Sequence, residues 1–184
     1  MLRSVLAAYE AQTDEERSDL ERMRALVERS ADPWTRSSPL HVTGSAVVVH
    51  PPTKRVLLRW HDRMHSWLQV GGHADPAETD PFAIALREAR EETGLQDLVA
   101  WPDESRPRIL QVAVVPVPAG RGEPAHHHAD VRYGLSTAQP DAIIPENEGA
   151  QLRWMTLEEA ESAVAEDNLR VSLVRVGAIL GERI

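Results

Sequence analysis

Gly71 to Leu95 reads GGHADPAETDPFAIALREAREETGL, and its second half carries helix punctuation at both ends. Asp80 suits the N-cap, Pro81 the first helical position, and Gly94 the left-handed stop that follows a last turn. A helix from about Pro81 to Thr93 is therefore expected. At about 100° per residue, Glu88, Glu91 and Glu92 project within one arc of about 100°. Ala83, Ile84, Leu86 and Ala89 are expected on the opposite side, as the face that docks on a sheet. Three crowded carboxylates repel one another unless a cation sits among them. Hard divalent ions such as Mg²⁺ or Mn²⁺ prefer such oxygen ligands. The plainer reading of the same residues is a solvated helix face braced by pairs such as Arg87 with Glu91.

Outward from this helix the apolar period becomes that of strands. Val42–Val49 is a β-branched run, Pro51 to Lys54 a turn, and Arg55–Trp60 a returning strand, so the three predict a hairpin. A short strand over Trp67–Val70 is expected to stop at Gly71-Gly72. Ile109–Val117, Val131–Ser136 and Leu152–Met155 are three more strands. Thr156 and Glu159 have capping-box spacing at the head of a helix over Thr156–Glu166, and Leu169–Leu180 reads as a last helix. Residues 1–31 also read as helical, with Thr13 and Glu16 at capping-box spacing and Leu20, Met23, Leu26 and Val27 on one face. Asp32-Pro33 ends that segment. The expected organisation is a helical extension and connector over 1–39, then a mixed α/β domain over 40–184. The apolar face at Leu20–Val27 suits a dimerisation arm, so a homodimer is one expectation.

Composition narrows the classes of function. With Lys+Arg 20 and Asp+Glu 29 the formal charge is −9, which gives no long-range attraction to nucleic-acid polymers or anionic membranes. The chain contains no cysteine. Disulfides, thiolate nucleophiles and Cys-ligated metal sites are thereby excluded, and a reducing cytoplasmic setting fits. No stretch approaches the roughly 20 apolar residues of a membrane helix.

The segment resembles the Nudix box, G-x5-E-x7-R-E-U-x-E-E-x-G-U, where U is a bulky aliphatic residue. Gly72, five residues and Glu78 match its first part, and Arg87-Glu88, Glu91-Glu92, Gly94 and Leu95 match its second. Two departures stand out. Eight residues rather than seven separate Glu78 from Arg87, so either the loop bulges or Thr79 or Asp80 shares the place of Glu78. Ala89 is also smaller than the usual aliphatic residue. The resemblance runs over roughly residues 40–170, with looser matches at His41-Val42-Thr43, Trp67 and Trp154.

The resemblance implies a Nudix fold, a mixed sheet sandwiched between helices, and a metal-dependent hydrolase cleaving a phosphoanhydride of a nucleoside-diphosphate-linked compound. Nucleoside triphosphates, sugar nucleotides and dinucleotides all belong to that class. It implies Glu91 and Glu92 as principal metal ligands, Glu88 as a third ligand or base, the Gly72 carbonyl as a further ligand, and Arg87 as their organiser. The general base lies either in the box helix or in a later loop, where Glu148 is the first candidate and Glu146 the second. His126 to Arg132 is a further unusual tract: on a strand, His128, Asp130 and Arg132 alternate onto one face and meet substrate phosphates or a second metal, or else form a polar loop entering a strand. Trp60 is either a stacking platform for a base or core packing. An isomerase of the same fold with an active-site cysteine is excluded by the lack of cysteine. The alternative is a catalytically silent nucleotide-binding regulatory module, although all three box glutamates are present.

Overall fold

The β-branched run at Val42–Val49 becomes the middle of strand β1 (Leu40–His50), the most deeply buried strand of a mixed sheet. The computed structural model describes residues 1–120 and 122–181, so the last three residues of the expected 40–184 domain lie outside them. Two helices come first, α1 (Leu2–Ala8) and α2 (Asp14–Arg29). β1 turns through Pro51–Thr53 into β2 (Arg55–His61), the antiparallel hairpin expected from the sequence. Then follow β3 (Ser66–Leu68), β4 (Val70–His73) and helix α3 (Pro81–Thr93). The remainder is β5 (Val99–Ala100), β6 (Ile109–Val117), β7 (His126–Ser136), β8 (Leu152–Thr156), α4 (Leu157–Ala163) and α5 (Asp167–Leu180).

β7 runs parallel to β1 along its whole length, from Leu40 opposite His127 to Val49 opposite Ser136. The other edge of β1 is divided between two partners. β2 takes Val48–His50 and β4 takes Thr43–Ala46. The sheet therefore forks beside the first half of β1. Alternation along β1 builds two cores. Val42, Ala46 and Val48 pack toward α1, α2 and α3, while Val47 and Val49 pack toward α4 and α5. The sheet is thus sandwiched between helices.

Three expectations change in detail. The strand at Trp67–Val70 does not stop at the glycines; it breaks at Gln69, and β4 carries Gly71 and Gly72 on to His73, because both glycines pair with β1. The strand expected from Val131 begins five residues earlier, so the histidine tract is paired sheet rather than loop. The helix expected over Thr156–Glu166 ends at Ala163, although the Thr156–Glu159 capping box forms as the spacing predicts.

The N-terminal helices belong to the same core. Leu2, Leu6, Leu20 and Met23 are buried with Val42, Val112 and Leu135. The apolar face that suggested a dimerisation arm is thus covered by the chain itself. Thr13 caps α2 by accepting from the Glu16 amide, but Glu16 does not complete a capping box. Its carboxylate is buried instead and accepts from the Gln12 amide (2.7 Å), the Val112 amide (3.3 Å), the Tyr9 hydroxyl and Arg175 of α5 (2.8 and 2.9 Å). Asp19 accepts from the Val114 amide at 2.9 Å. Two carboxylates of α2 therefore satisfy backbone donors on β6, which among the described residues pairs with β7 alone.

Candidate active site

The site is set by how closely α3 lies on the fork. A Cβ on Gly44 would stand 2.6 Å from the Pro81 carbonyl, so only glycine lets the first turn of α3 rest on β1. Asp80 caps that turn by accepting from the Phe82 amide at 3.1 Å, and Gly94 ends the helix with φ 73°. Of the docking residues expected, Ile84 and Ala89 are fully buried and Leu86 half-buried. Ala83 is exposed and Ala85 is buried instead, because Ala85 stands one turn from both Pro81 and Ala89 on the row that meets Gly44.

The glutamates divide. Glu88 and Glu92, one turn apart, line a cavity of about 510 Å³ at the fork. Glu91 is turned away, about half exposed, and held by Arg87 at 2.9 Å. A Cβ on Gly72 would meet the Glu88 carboxyl at 2.5 Å, so the Gly72 backbone and that carboxyl are in contact across the site. Glu92 accepts from the Gly71 amide at 3.1 Å and pairs with Arg59 at 3.0 Å. Burial, against the partial relief of Arg59 and that amide, raises the Glu92 carboxyl to about 7. Burial likewise raises Glu88, opposed by Arg87.

Arg87 lies at the centre of a set of carboxylates. It donates to Glu78 (2.9 to 3.2 Å), Glu88 (3.0 Å), Glu91 (2.9 Å) and the His73 carbonyl (2.8 Å). Glu78 thus reaches Arg87 despite the extra residue, and the guanidinium holds its carboxyl below the usual range. The insertion is absorbed in a turn where Glu78 and Asp75 exchange hydrogen bonds (3.0 and 2.8 Å) and Ala77 adopts φ 75°.

Several other expected residues sit differently. Arg132 is 1% exposed and does not line the cavity. Under α5 it donates to Gln111 (3.0 Å), Ser172 (2.9 Å), Asn168 (3.1 Å) and Asp130 (3.1 Å). It holds Asp130, which does line the cavity and also accepts from Thr43 and Ser45. His128 lines the cavity. Trp60 does not: its neighbours Arg59 and His61 face the cavity, while Trp60 points to the other side of β2 and meets Trp67 edge-on at 5.7 Å. Glu148 is exposed and away from the cavity lining, whereas Glu146 in the same loop pairs with Arg59 at 3.2 Å.

Arg59, Arg63 and Gln69 escaped the sequence reading. All three line the cavity, and Arg59 Nε, Arg63 Nε and Gln69 Oε1 are buried without a protein partner. Buried polar atoms of this kind are normally satisfied, and these three belong to side chains that border the cavity. Met64, Leu68, Val115 and Val117 give the same cavity an apolar wall.

The NUDIX domain family matches residues 40–173, and the chain belongs to that family of hydrolases. The chain is 49% identical over 41 residues to the mouse asymmetrical bis(5'-nucleosyl)-tetraphosphatase, a match spanning 22% of this chain and 27% of that protein. The structure of a C. elegans Ap4A hydrolase in a binary complex is similar with a TM-score of 0.58 at 21% identity, covering 76% of this chain and 97% of that one. A NUDIX-family hydrolase from Clostridium perfringens is similar with a TM-score of 0.54 at 26% identity, covering 77% and 96%. Among the described residues no helix is long and apolar enough to cross a membrane.

Proposed function

We propose that this cavity hydrolyses a phosphoanhydride bond of a nucleoside-diphosphate-linked compound with the help of Mg²⁺ or Mn²⁺. The observation that carries the reading is Glu92. A carboxyl buried on a cavity wall, with one amide and a shared guanidinium as its donors, retains capacity for a cation. Glu88, Glu92 and the Gly72 carbonyl form an all-oxygen donor set of the kind hard divalent ions prefer. Glu91 joins them only if it leaves Arg87. A bound metal would lower the pKa of a water and neutralise charge on the phosphoryl oxygens.

The protein's own residues supply positioning. Arg87 fixes Glu88, and Arg59 stands between Glu92 and the loop carboxylate Glu146. Arg59 and Arg63 line the cavity with guanidinium groups, which suit phosphate oxygens. We assign the general base to Glu146 in preference to Glu148, since Glu146 is the member of that loop connected to the site. The apolar wall at Met64, Leu68, Val115 and Val117 suits a base or ribose. Given the tetraphosphatase and Ap4A hydrolase relatives, dinucleoside polyphosphates head the substrate classes to test.

The test is release of nucleotide or phosphate from a panel of nucleoside-diphosphate derivatives, with and without Mg²⁺ or Mn²⁺. Glu92→Gln serves as the control for contaminating phosphatases. Metal-dependent turnover of one substrate group, lost in the variant, supports the reading. Turnover undiminished in Glu92→Gln overturns it. Binding without turnover across the panel favours a regulatory module.

A further inference from the structure

On the face of the sheet opposite α3, three neighbouring strands each present an imidazole. His41 and His128 are direct partners across the parallel β1–β7 pair, and His73 on β4 lies opposite Thr43, two residues along β1 from His41. Alternation makes the placement specific: Gly72 faces the α3 glutamates, so its neighbour His73 faces the other way. One ligand nitrogen from each of His41, His73 and His128 lies within 4.8 Å of the others. We propose that His41, His73 and His128 form a binding site for one divalent transition metal of the zinc type, separate from the oxygen-ligand face on α3.

The donor chemistry selects the metal. Imidazole nitrogens suit Zn²⁺, Co²⁺ or Ni²⁺, whereas Mg²⁺ takes oxygen. Three histidine ligands leave a fourth position for water or a substrate oxygen. His73 and His128 both border the cavity, so that position faces it.

Neighbouring groups already orient the rings, as partners of metal-binding histidines do. The Ser38 carbonyl accepts from His41 Nδ1 at 2.9 Å, which leaves His41 Nε2 with a bare lone pair in the neutral ring. That lone pair meets His73 Nε2 at 3.0 Å. His126 is anchored in the same way, with Nδ1 donating to the Pro124 carbonyl at 2.9 Å, and its Nε2 lies 3.2 Å from His128 Nε2. The neutral His128 therefore donates through Nε2 to that ring, which leaves Nδ1 as its lone-pair nitrogen.

Arg36 opposes the metal. It donates to His73 Nδ1 at 3.0 Å and so places the single proton of the neutral ring on Nε2, the nitrogen facing His41. Metal binding through Nε2 moves that proton to Nδ1 and displaces Arg36, an exposed residue free to leave.

The experiment is a Co²⁺ titration of the full chain in excess Mg²⁺, followed by visible absorption. The expected result is a saturable set of ligand-field bands from one nitrogen-ligated Co²⁺ per chain. His128→Gln and His73→Gln should each abolish the bands while circular dichroism reports an intact fold. Arg36→Ala should saturate at lower Co²⁺ than the wild type. Glu92→Gln should retain the bands, which separates this site from the box metal. Absence of saturable bands in the wild type overturns the proposal, as do bands that persist in both histidine variants or that vanish in Glu92→Gln.

Discussion

Two buried glutamates, Glu16 on α2 and Glu92 on the box helix, have relative exposures of 3% and 9% yet opposite electrostatic characters. Glu16 is held down to about 2 and Glu92 is pushed up to about 7. Burial opposes ionisation at both, and the donors decide the outcome. Glu16 receives Tyr9, Arg175 and the amides of Gln12 and Val112. Glu92 receives one amide and Arg59, which it shares with Glu146. A structural carboxylate is completed by the protein. On the proposed function, Glu92 is left incomplete for a ligand to finish.

The largest effect that sharpens this contrast is on turnover. Glu92→Gln should lower kcat/KM about 10³-fold, or ~4 kcal/mol of transition-state stabilisation. The same change should raise the melting temperature of the metal-free protein, because it removes an under-satisfied buried charge. A lowered melting temperature without metal would break the comparison.

At Glu16 the balance inverts. Glu16→Gln strands Arg175 and should cost about 3 kcal/mol of unfolding free energy in urea titrations, while the folded enzyme keeps its kcat. Unchanged stability would show that the clasp between α2 and α5 contributes little.

The shared guanidinium gives a third comparison, inside one loop. Glu146→Gln should reduce kcat about 10²-fold, the range of a general base, and remove the acidic limb of the pH–rate profile. Glu148→Gln should leave both unchanged in the same steady-state assay. Equal losses from the two would sink the assignment of Glu146.

The smallest effects lie in the pH dependence of stability. The raised Glu92 carboxyl binds its proton more tightly in the folded state. Without metal its contribution is present below 4.5 and lost as pH rises through about 7. The lowered Glu16 acts oppositely, stabilising above 4.5 and losing that contribution as pH falls toward about 2. Thermal melts from pH 4 to 8 should therefore show a decline that is absent in Glu92→Gln. Saturating Mg²⁺ should reverse the decline in the wild type. A decline that persists in Glu92→Gln would place its origin elsewhere.

Local chemistry made much of this legible in the sequence. Asp80, Pro81 and Gly94 punctuate α3 because capping depends on neighbours within one turn. The spacing of Arg87, Glu88, Glu91 and Glu92 follows from helical period, and the β1–β2 hairpin from a β-branched run and a proline turn. The residues misjudged were those whose role depends on distant partners. Arg132 looked like a phosphate ligand until α5 covered it, and Trp60 like a platform until Trp67 took its face. Glu16 looked like half of a capping box, but its partner Arg175 is 159 positions away in the chain.

What the sequence alone determined, then, was the helix with its acid face, the strand pattern and the family, since each rests on contacts within a few residues. Only the tertiary structure decided which glutamates meet the cavity, which arginine serves them, and that four histidines from three strands gather on one face. Those outcomes depend on the forked pairing of β1 with β2 and β4, and no local preference encodes a choice between two strands for one edge.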